Sequence, residues 1–205
     1  MKISLEHIGR RFNREWIFRD INYEFESGSS YAVLGANGAG KSTLLQVISG
    51  SLSSSEGKIS YLDGDTMIDQ EKVFIHLSMA APYLELIEEF TLTELIDFHF
   101  RFKKYRQGFN RKGVIELLGL KNSEFKAIKY FSSGMKQRVK LALAFCSDTA
   151  ILLLDEPASN LDQQGLDWYL SLASTLSSDR LLIICSNQEQ EYSFCSHRLN
   201  IADYK

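Results

Sequence analysis

Three glycines, a lysine and a serine stand close together in the stretch G-A-N-G-A-G-K-S at residues 35–42. The order fits the pattern G-x-x-x-x-G-K-[ST], in which backbone N–H groups surround a phosphate. The glycines let the chain curl with those groups pointing inward, the lysine reaches the outer phosphates, and the serine hydroxyl can bind Mg²⁺. The stretch predicts a nucleotide-binding loop made of Gly35, Ala36, Asn37, Gly38, Ala39, Gly40, Lys41, Ser42 and Thr43.

Two adjacent acids form a second candidate site. Asp155 and Glu156 follow the apolar run Ile151–Leu154, and Pro157 ends that run. We expect Asp155 to bind Mg²⁺ together with Ser42, and Glu156 to orient and deprotonate an attacking water. Acids also follow buried strands simply because they are exposed or cap a helix. The chemical interpretation therefore depends on the phosphate loop, with Lys41 and Glu156 as the candidate catalytic residues.

Strands and helices must bring these residues together. Apolar runs predict buried strands just before the loop and before the acids, and residues 43–49 suit a helix that stops at Gly50. Further strands are predicted in residues 1–30, 58–62 and 72–78, and Leu181–Ile184 is predicted as the last core strand. Residues 166–176 read as a helix. Between about 82 and 140 the apolar spacing becomes helical.

Composition limits the possible classes of function and the cellular location. The chain has 205 residues and a formal net charge of -3, which argues against general nucleic-acid binding. No apolar run approaches the length that crosses a bilayer. The three cysteines form no C-x-x-C motif and suggest reduced, packed thiols in the cytoplasm.

A third motif gives the sequence a family resemblance. Phe131-Ser132-Ser133-Gly134-Met135 precedes a helix that carries Lys136-Gln137-Arg138, and Ser159-Asn160-Leu161-Asp162 follows the acidic pair. Ser132 is expected to cap the helix that begins near Ser133. In order and spacing, over nearly the whole length, the chain resembles the ATP-binding subunit of an ABC transporter.

The resemblance implies an α/β P-loop NTPase fold of the ABC ATPase type, with a mixed sheet core, an antiparallel β edge and a helical lobe. Residues 1–205 would form one domain, with the lobe at about 82–140 inserted in the core. ATP and Mg²⁺ are the implied cofactors. The implied activity is ATP hydrolysis that drives transport through ATP-dependent dimerisation.

The resemblance also implies partners. Ser132, Ser133 and Gly134 would complete the nucleotide site of a second cassette, in a homodimer or a heterodimer with a related ATPase domain. A separate transmembrane subunit would turn the motion into transport. The chain would then lie in the cytoplasm, at the cytoplasmic face of the inner or plasma membrane.

Two positions depart from the family pattern. Asn187 stands where the family has a His that contacts the γ-phosphate, and Ala80 aligns with a Gln that contacts Mg²⁺ and the attacking water. Ser78 is an alternative source of the second contact. With both residues replaced, turnover is expected to be slow. For the ring that stacks on adenine, Phe12 and Trp16 both remain candidates.

Two alternative functions stay open at this point. A soluble ABC ATPase outside transport, such as one in cluster assembly, would carry the same motifs. A hydrolysis-poor regulatory module is favoured somewhat by the missing His and Gln.

Overall fold

Two β-sheets form the framework of the molecule. The computed structural model describes residues 1–205, apart from the side chain of residue 121. One sheet has four strands in the order β2-β1-β4-β5, and the other has five in the order β6-β7-β8-β3-β9. Their bounds are β1 Lys2–Phe12, β2 Glu15–Glu26, β3 Ser30–Leu34, β4 Glu56–Asp63, β5 Thr66–Ile68, β6 Leu77–Ala80, β7 Ile151–Asp155, β8 Leu181–Cys185 and β9 His197–Asn200.

The five-stranded sheet is parallel and positions the candidate site. Each of its neighbouring pairs runs parallel. All residues of β7 and β8 are buried, as continuous apolar runs are when both faces of a sheet are covered. The carboxyl ends of parallel strands meet at one edge, so the residues that follow β3, β7 and β8 converge there.

The four-stranded sheet is antiparallel. Strands β1 and β2 form a long hairpin that pairs from Lys2↔Glu26 to Phe12↔Glu15, and β4 pairs with the other side of β1. Phe25 and Ile3 pack in the same core as Val33 and Leu153 of the parallel sheet. The antiparallel strands thus form a sheet of their own that shares a hydrophobic core with the parallel sheet.

The helices cover the parallel sheet and build a lobe beside it. They are α1 Lys41–Ile48, α2 Leu92–His99, α3 Arg111–Leu118, α4 Ser133–Cys146, α5 Gln163–Leu176 and α6 Glu189–Tyr192, with 3-10 helices at Gln70–Ile75, Lys121–Ser123, Ile128–Tyr130 and Ile201–Tyr204. None of the described helices is both long and apolar enough to cross a bilayer.

Helix α4 connects the lobe to the sheet because it has two apolar faces. On one side Val139 packs with Ile96 of α2 and Val114 of α3. On the other side Leu141 and Phe145 pack against the parallel sheet. Helix α2 begins at a capping box in which Thr91 and Glu94 bond to each other's backbone N–H groups.

Two strand predictions were wrong. Residues 72–78 were expected to form a strand, but Asp69 caps a 3-10 helix there by accepting the N–H of Glu71 at 3.2 Å. Strand β6 starts only at Leu77. Strand β8 is not the last of the core, because β9 pairs with β3 at the far edge of the parallel sheet.

Candidate functional site

The loop after β3 turns tightly into α1. Gly38 and Gly40 have φ angles of 76° and 105°, a region that favours glycine. A Cβ atom on Gly40 would lie 2.4 Å from Cγ2 of Ile17, so the hairpin of β1 and β2 excludes any side chain there. Gly40 caps α1 without a side-chain hydrogen bond. Backbone N–H groups in the first turn of the helix can therefore donate hydrogen bonds to an anion.

Lys41 lies at the start of α1 and is 5% exposed. Its Nζ donates to the carbonyl oxygens of Gly35 at 2.8 Å and Ala36 at 3.1 Å. The ammonium group is therefore held inside the curl of the loop. A cavity of about 200 Å³ opens beside it and is lined by Ile17, Asn37, Gly38, Gly40, Lys41, Ser42, Thr43 and Glu156.

Asp155 ends β7 with its carboxylate buried. Among the described residues, neither of its oxygens has a hydrogen-bond partner. Burial raises the pKa of Asp155, and the charge of Glu156 adds to that rise, while the nearby Ser42 hydroxyl and Lys41 ammonium lower it. A buried carboxylate without donors suits a cation, and a carboxylate with a serine hydroxyl is an oxygen donor set that fits Mg²⁺.

Glu156 occupies a strained turn directly after the strand. Its φ of 41° lies in the left-handed region, which is uncommon for a residue with a side chain. Its N–H donates to the carbonyl of Cys185 at 2.8 Å, which ties the turn to β8. This geometry directs Glu156 into the cavity beside the loop.

Asn187, after β8, contacts the loop directly. Its Nδ2 donates to Oδ1 of Asn37 at 2.9 Å. The residue at the position of the family's His thus joins the phosphate loop through a neutral hydrogen bond. An Asn amide can donate such a bond but carries no charge.

The motif at residues 131–135 lies at the start of α4. Ser132 caps the helix as expected, because its Oγ accepts the N–H of Met135 at 3.2 Å. A Cβ atom on Gly134 would lie 2.8 Å from the backbone oxygen of Asn160, so the helix end packs closely on the turn after Glu156. Ser132, Ser133 and Gly134 are not among the described residues that line the loop cavity.

Gln137 links α4 to the same turn. It is 2% exposed, and its Nε2 donates to the carbonyl of Pro157 at 2.9 Å. No role for this side chain was predicted from the sequence, although it belongs to the triplet Lys136-Gln137-Arg138. The helix and the acidic turn are therefore connected at two points, the Gln137 bond and the Gly134 contact.

Neither candidate on β6 offers a free polar group for the missing Gln contact. Ala80 is fully buried. The alternative that Ser78 supplies the contact was wrong, because its Oγ donates to the carbonyl of Ala144 at 2.9 Å and pairs with Thr149 at 2.8 Å. Tyr83, for which no role was predicted from the sequence, has a raised pKa, mainly through burial and also through the charge of Asp155.

The two candidate adenine rings lie near the tip of the hairpin of β1 and β2. Phe12 is 46% exposed with the Arg10 guanidinium 4.5 Å from its ring centroid. Trp16 has the Arg19 guanidinium at 4.7 Å. Neither ring lines the loop cavity as far as the described residues show, whereas Ile17 does.

A second buried acid forms a hydrogen bond to the turn that follows Asp155 and Glu156. Glu191 of α6 is 1% exposed, and its Oε1 accepts the N–H of Ala158 at 3.2 Å. Burial is the main reason that its pKa is raised. This contact was missed because α6 is short and its residues look like an exposed polar turn in the sequence.

Sequence comparison places the chain in a family. The ABC transporter family profile matches residues 18–159. The ATP-binding protein EcfA1 of an energy-coupling factor transporter from Thermotoga maritima is 34% identical over 198 residues, which cover 94% of this chain and 74% of that protein. The chain belongs to the ABC transporter family. It is an ATP-binding subunit of the ABC transporter type, and ATP hydrolysis is the general reaction of such subunits.

Other members of the ABC transporter family agree in sequence and fold. The spermidine/putrescine import ATP-binding protein PotA of Fusobacterium nucleatum is 28% identical over 97% of this chain, which spans only 54% of that relative. An ABC transporter ATP-binding protein from Pyrococcus furiosus has the same fold, with a TM-score of 0.83, 22% identity and full coverage of both chains. A bacterial ABC transporter cassette solved as a dimer gives a TM-score of 0.81 at 22% identity, over 97% of this chain and 94% of that one. The expected fold class is confirmed.

Proposed function

We propose that this chain binds ATP with Mg²⁺ at residues 35–43 and hydrolyses it to ADP and phosphate, in a head-to-tail pair that drives a transporter. The buried carboxylate of Asp155 is the observation that carries the proposal. Its oxygens lack partners among the described residues, and the Ser42 hydroxyl and the Lys41 ammonium lie close by. Burying such an anion is costly unless a cation accompanies it.

The residues around this carboxylate take separate roles in the proposal. Loop N–H groups and Lys41 bind the phosphates, and Ser42 with Asp155 would hold the magnesium ion. When bound there, Mg²⁺ neutralises charge on the phosphate oxygens. The position of Lys41, already inside the loop, supports this assignment because its Nζ has only to exchange backbone carbonyls for phosphate oxygens.

Glu156 acts as the general base in the proposed reaction. It accepts a proton from water as the water oxygen bonds to the γ-phosphorus and the bond from that phosphorus to the ADP oxygen breaks. The support is positional, since Glu156 lines the same cavity as Lys41 and Ser42.

A second cassette completes the site in this proposal. Ser132 and Ser133 are exposed at the beginning of α4, where N–H groups and a positive helix end can receive a phosphate. The described residues that line the loop cavity do not include them, which supports a role toward another chain. Phe12 or Trp16 stacks on adenine, and Asn187 binds near the γ-phosphate.

The remaining partners follow from the family. We infer a separate transmembrane subunit and a position in the cytoplasm at the inner face of the membrane. Residues 1–205 serve as one ABC ATPase domain, with the lobe at about 82–140 inserted in its core. The pair consists of two copies of this chain or of this chain and a related ATPase domain.

Slow turnover is part of the proposal. Asn187 supplies no positive charge, and Ala80 is buried without a polar side chain. Both features lower the stabilisation that the site offers to the reacting phosphate and water.

The Lys41→Ala variant tests nucleotide binding. We expect ATP affinity to fall on the order of 100-fold, because a hydrogen bond to a charged group contributes up to about 3 kcal/mol. Calorimetric titration with ATP measures the change. Lys72→Ala removes an exposed lysine and serves as the control. Equal affinity in Lys41→Ala and the wild type would refute the loop assignment.

The Glu156→Gln variant tests the base and the pair together. Gln keeps the shape but accepts no proton, so the variant should bind ATP, stop hydrolysing it and accumulate as a closed pair. Light scattering with Mg-ATP reports the mass, and phosphate release reports turnover. A variant that stays monomeric and hydrolyses ATP at the wild-type rate would contradict both roles.

A further inference from the structure

A hydrogen bond between two asparagines joins the phosphate loop to the segment that follows β8. Nδ2 of Asn187 donates to Oδ1 of Asn37 at 2.9 Å, across 150 positions of sequence. Both residues are exposed, and Asn37 lines the cavity beside Lys41. The pair therefore lies at the nucleotide cavity and not in the hydrophobic core.

The backbone on the loop side of this bond is fixed. The carbonyl of Ala36 accepts the N–H of Ala39 at 3.0 Å, which closes a turn around Asn37 and Gly38. The same carbonyl accepts a hydrogen bond from Nζ of Lys41 at 3.1 Å. Asn37 therefore projects from a turn that the ammonium group holds in place.

The backbone on the β8 side of the bond is fixed as well. Ser186 is fully buried, and its N–H donates to the carbonyl of Val33 on β3 at 3.4 Å. Its Oγ accepts the N–H of Gln188 at 2.9 Å, which closes a turn around Asn187. Because both asparagines project from anchored turns, the bond between them determines the direction of the two amide groups.

The position of the pair matches that of the outermost phosphate. In a phosphate loop the lysine reaches the outer phosphates, and Nζ of Lys41 bonds to the carbonyl of the residue before Asn37. On the other side, Glu156 donates its N–H to the carbonyl of Cys185, two residues before Asn187. The pair is therefore close to both the lysine and the candidate base, where ATP has a γ-phosphate and ADP has none.

The chemistry of the amide group gives Asn37 a task. The side-chain nitrogen of an asparagine carries two N–H donors, whereas its oxygen is an acceptor. One N–H of Asn187 is donated to Asn37, so the second can donate to a phosphate oxygen. If the amide turned over, Oδ1 of Asn187 would face the phosphate and repel it. The acceptor on Asn37 therefore selects the orientation of Asn187 that suits a phosphate.

We propose that Asn37 is a positioning residue for the recognition of ATP over ADP, in which its Oδ1 holds the Asn187 amide so that the second N–H donates to the γ-phosphate. The inference rests on the proposed function, because it assumes that ATP binds at residues 35–43. Asn187 touches the nucleotide in this arrangement, and Asn37 acts through it. The pair thus recognises the terminal phosphate without adding a charge.

Calorimetric titration with ADP and with a non-hydrolysable ATP analogue tests this role. A double-mutant cycle compares the wild type with Asn37→Ala, Asn187→Ala and the variant that carries both changes. We expect each single change to lower the affinity for the ATP analogue by roughly tenfold, because a hydrogen bond to a charged group is lost or misdirected. The affinity for ADP should stay unchanged. The double variant should lose no more than a single variant, because both changes remove the same contact.

Gln163→Ala is the matched control. Gln163 has an exposed amide that also donates a hydrogen bond of 2.9 Å, to Asp167 on α5. This variant should bind both nucleotides as the wild type does. Equal losses of affinity for ADP and for the ATP analogue in Asn37→Ala would mean that Asn37 only supports the loop, and would overturn the inference. Unchanged affinity for both nucleotides would also overturn it, and so would independent losses that multiply in the double variant.

The failure of this inference differs from the failure of the proposed function. A wild-type protein that binds neither nucleotide would remove the proposed function, and the role of Asn37 with it. If the wild type binds both nucleotides and Lys41→Ala binds neither, the site is established, and the cycle then decides the role of Asn37 alone. Because Asn187 lies outside the loop, a loss specific to the ATP analogue in Asn187→Ala does not come from a misfolded loop.

Discussion

Replacing Gln137 by Leu is expected to destabilise the fold and to slow ATP hydrolysis more than it weakens ATP binding. The Gln137 amide is 2% exposed and donates to the carbonyl of Pro157 at 2.9 Å. Leu is apolar and close to Gln in size, so it fits the buried position on α4. The change leaves the Pro157 carbonyl without this donor.

The size of the effect follows from that carbonyl. A buried polar group without a partner costs about 1–3 kcal/mol, and for a chain of this length each kcal/mol lowers Tm by about 2–4 °C. A central value of about 2 kcal/mol gives a fall in Tm of roughly 4–8 °C. Glu156 precedes Pro157 and has a strained φ of 41°, so release of the turn should also misplace the base. Misplacement by about 1 Å can reduce kcat on the order of 100-fold.

Calorimetric melting and steady-state phosphate release measure both quantities. Gln163→Leu is the matched control, because Gln163 makes a bond of the same length, 2.9 Å, to Asp167 on the exposed face of α5. It should change stability by less than about 0.5 kcal/mol. If Gln137→Leu melts and hydrolyses ATP like the wild type, the bond does not hold the acidic turn, and the reasoning is wrong.

Two further predictions concern Asn187 and His99. Asn187→His adds a side chain that can carry a positive charge beside the loop. The rate of phosphate release should therefore rise by about 10- to 100-fold. If the variant binds ATP but releases phosphate at the wild-type rate, another step limits turnover. Burial and the charge of Lys103 lower the pKa of His99 from 6.5 to about 4. The unfolded chain therefore binds a proton on His99 near pH 6.5, whereas the folded chain binds it only near pH 4. The free energy of unfolding consequently decreases as the pH falls through this window. Between pH 7.5 and 5.5 the wild type should lose about 1.4 kcal/mol more than His99→Gln in denaturant titrations, and equal losses would contradict the assignment.

The elements that carry the motifs could be predicted from the sequence because local signals agree there. The apolar run before Gly35 and the glycine loop predict a strand and a helix start, and β3 and α1 lie where they were expected. The Ser132 cap was likewise predicted from local chemistry. The roles assigned to the motif residues stay predictions, because they depend on a bound nucleotide and on a second chain.

The predictions that failed depended on contacts distant in sequence or on weak patterns. Val73, Phe74 and Ile75 have the apolar character of a strand, yet only Val73 is buried, and the cap at Asp69 selects a 3-10 helix. Strand β9 is short, and of its residues only Leu199 is buried. Its sequence therefore has almost no apolar pattern that indicates a strand. The charge of Asp155 helps to raise the pKa of Tyr83, which is 72 positions away in sequence, and only the folded sheet brings the two residues near each other.

The contact between Gly134 and Asn160 determines how the two sites of the proposed pair would communicate. Gly134 would face the partner's nucleotide, whereas Asn160 belongs to the turn that begins at the chain's own Glu156. Because no side chain separates the backbones of Gly134 and Asn160, a displacement of one is passed to the other, since closely packed atoms compress little. Arrival of ATP at one interface would then alter the placement of the base at the other. Under this arrangement the two nucleotides are hydrolysed cooperatively, and the rate rises sigmoidally with ATP concentration.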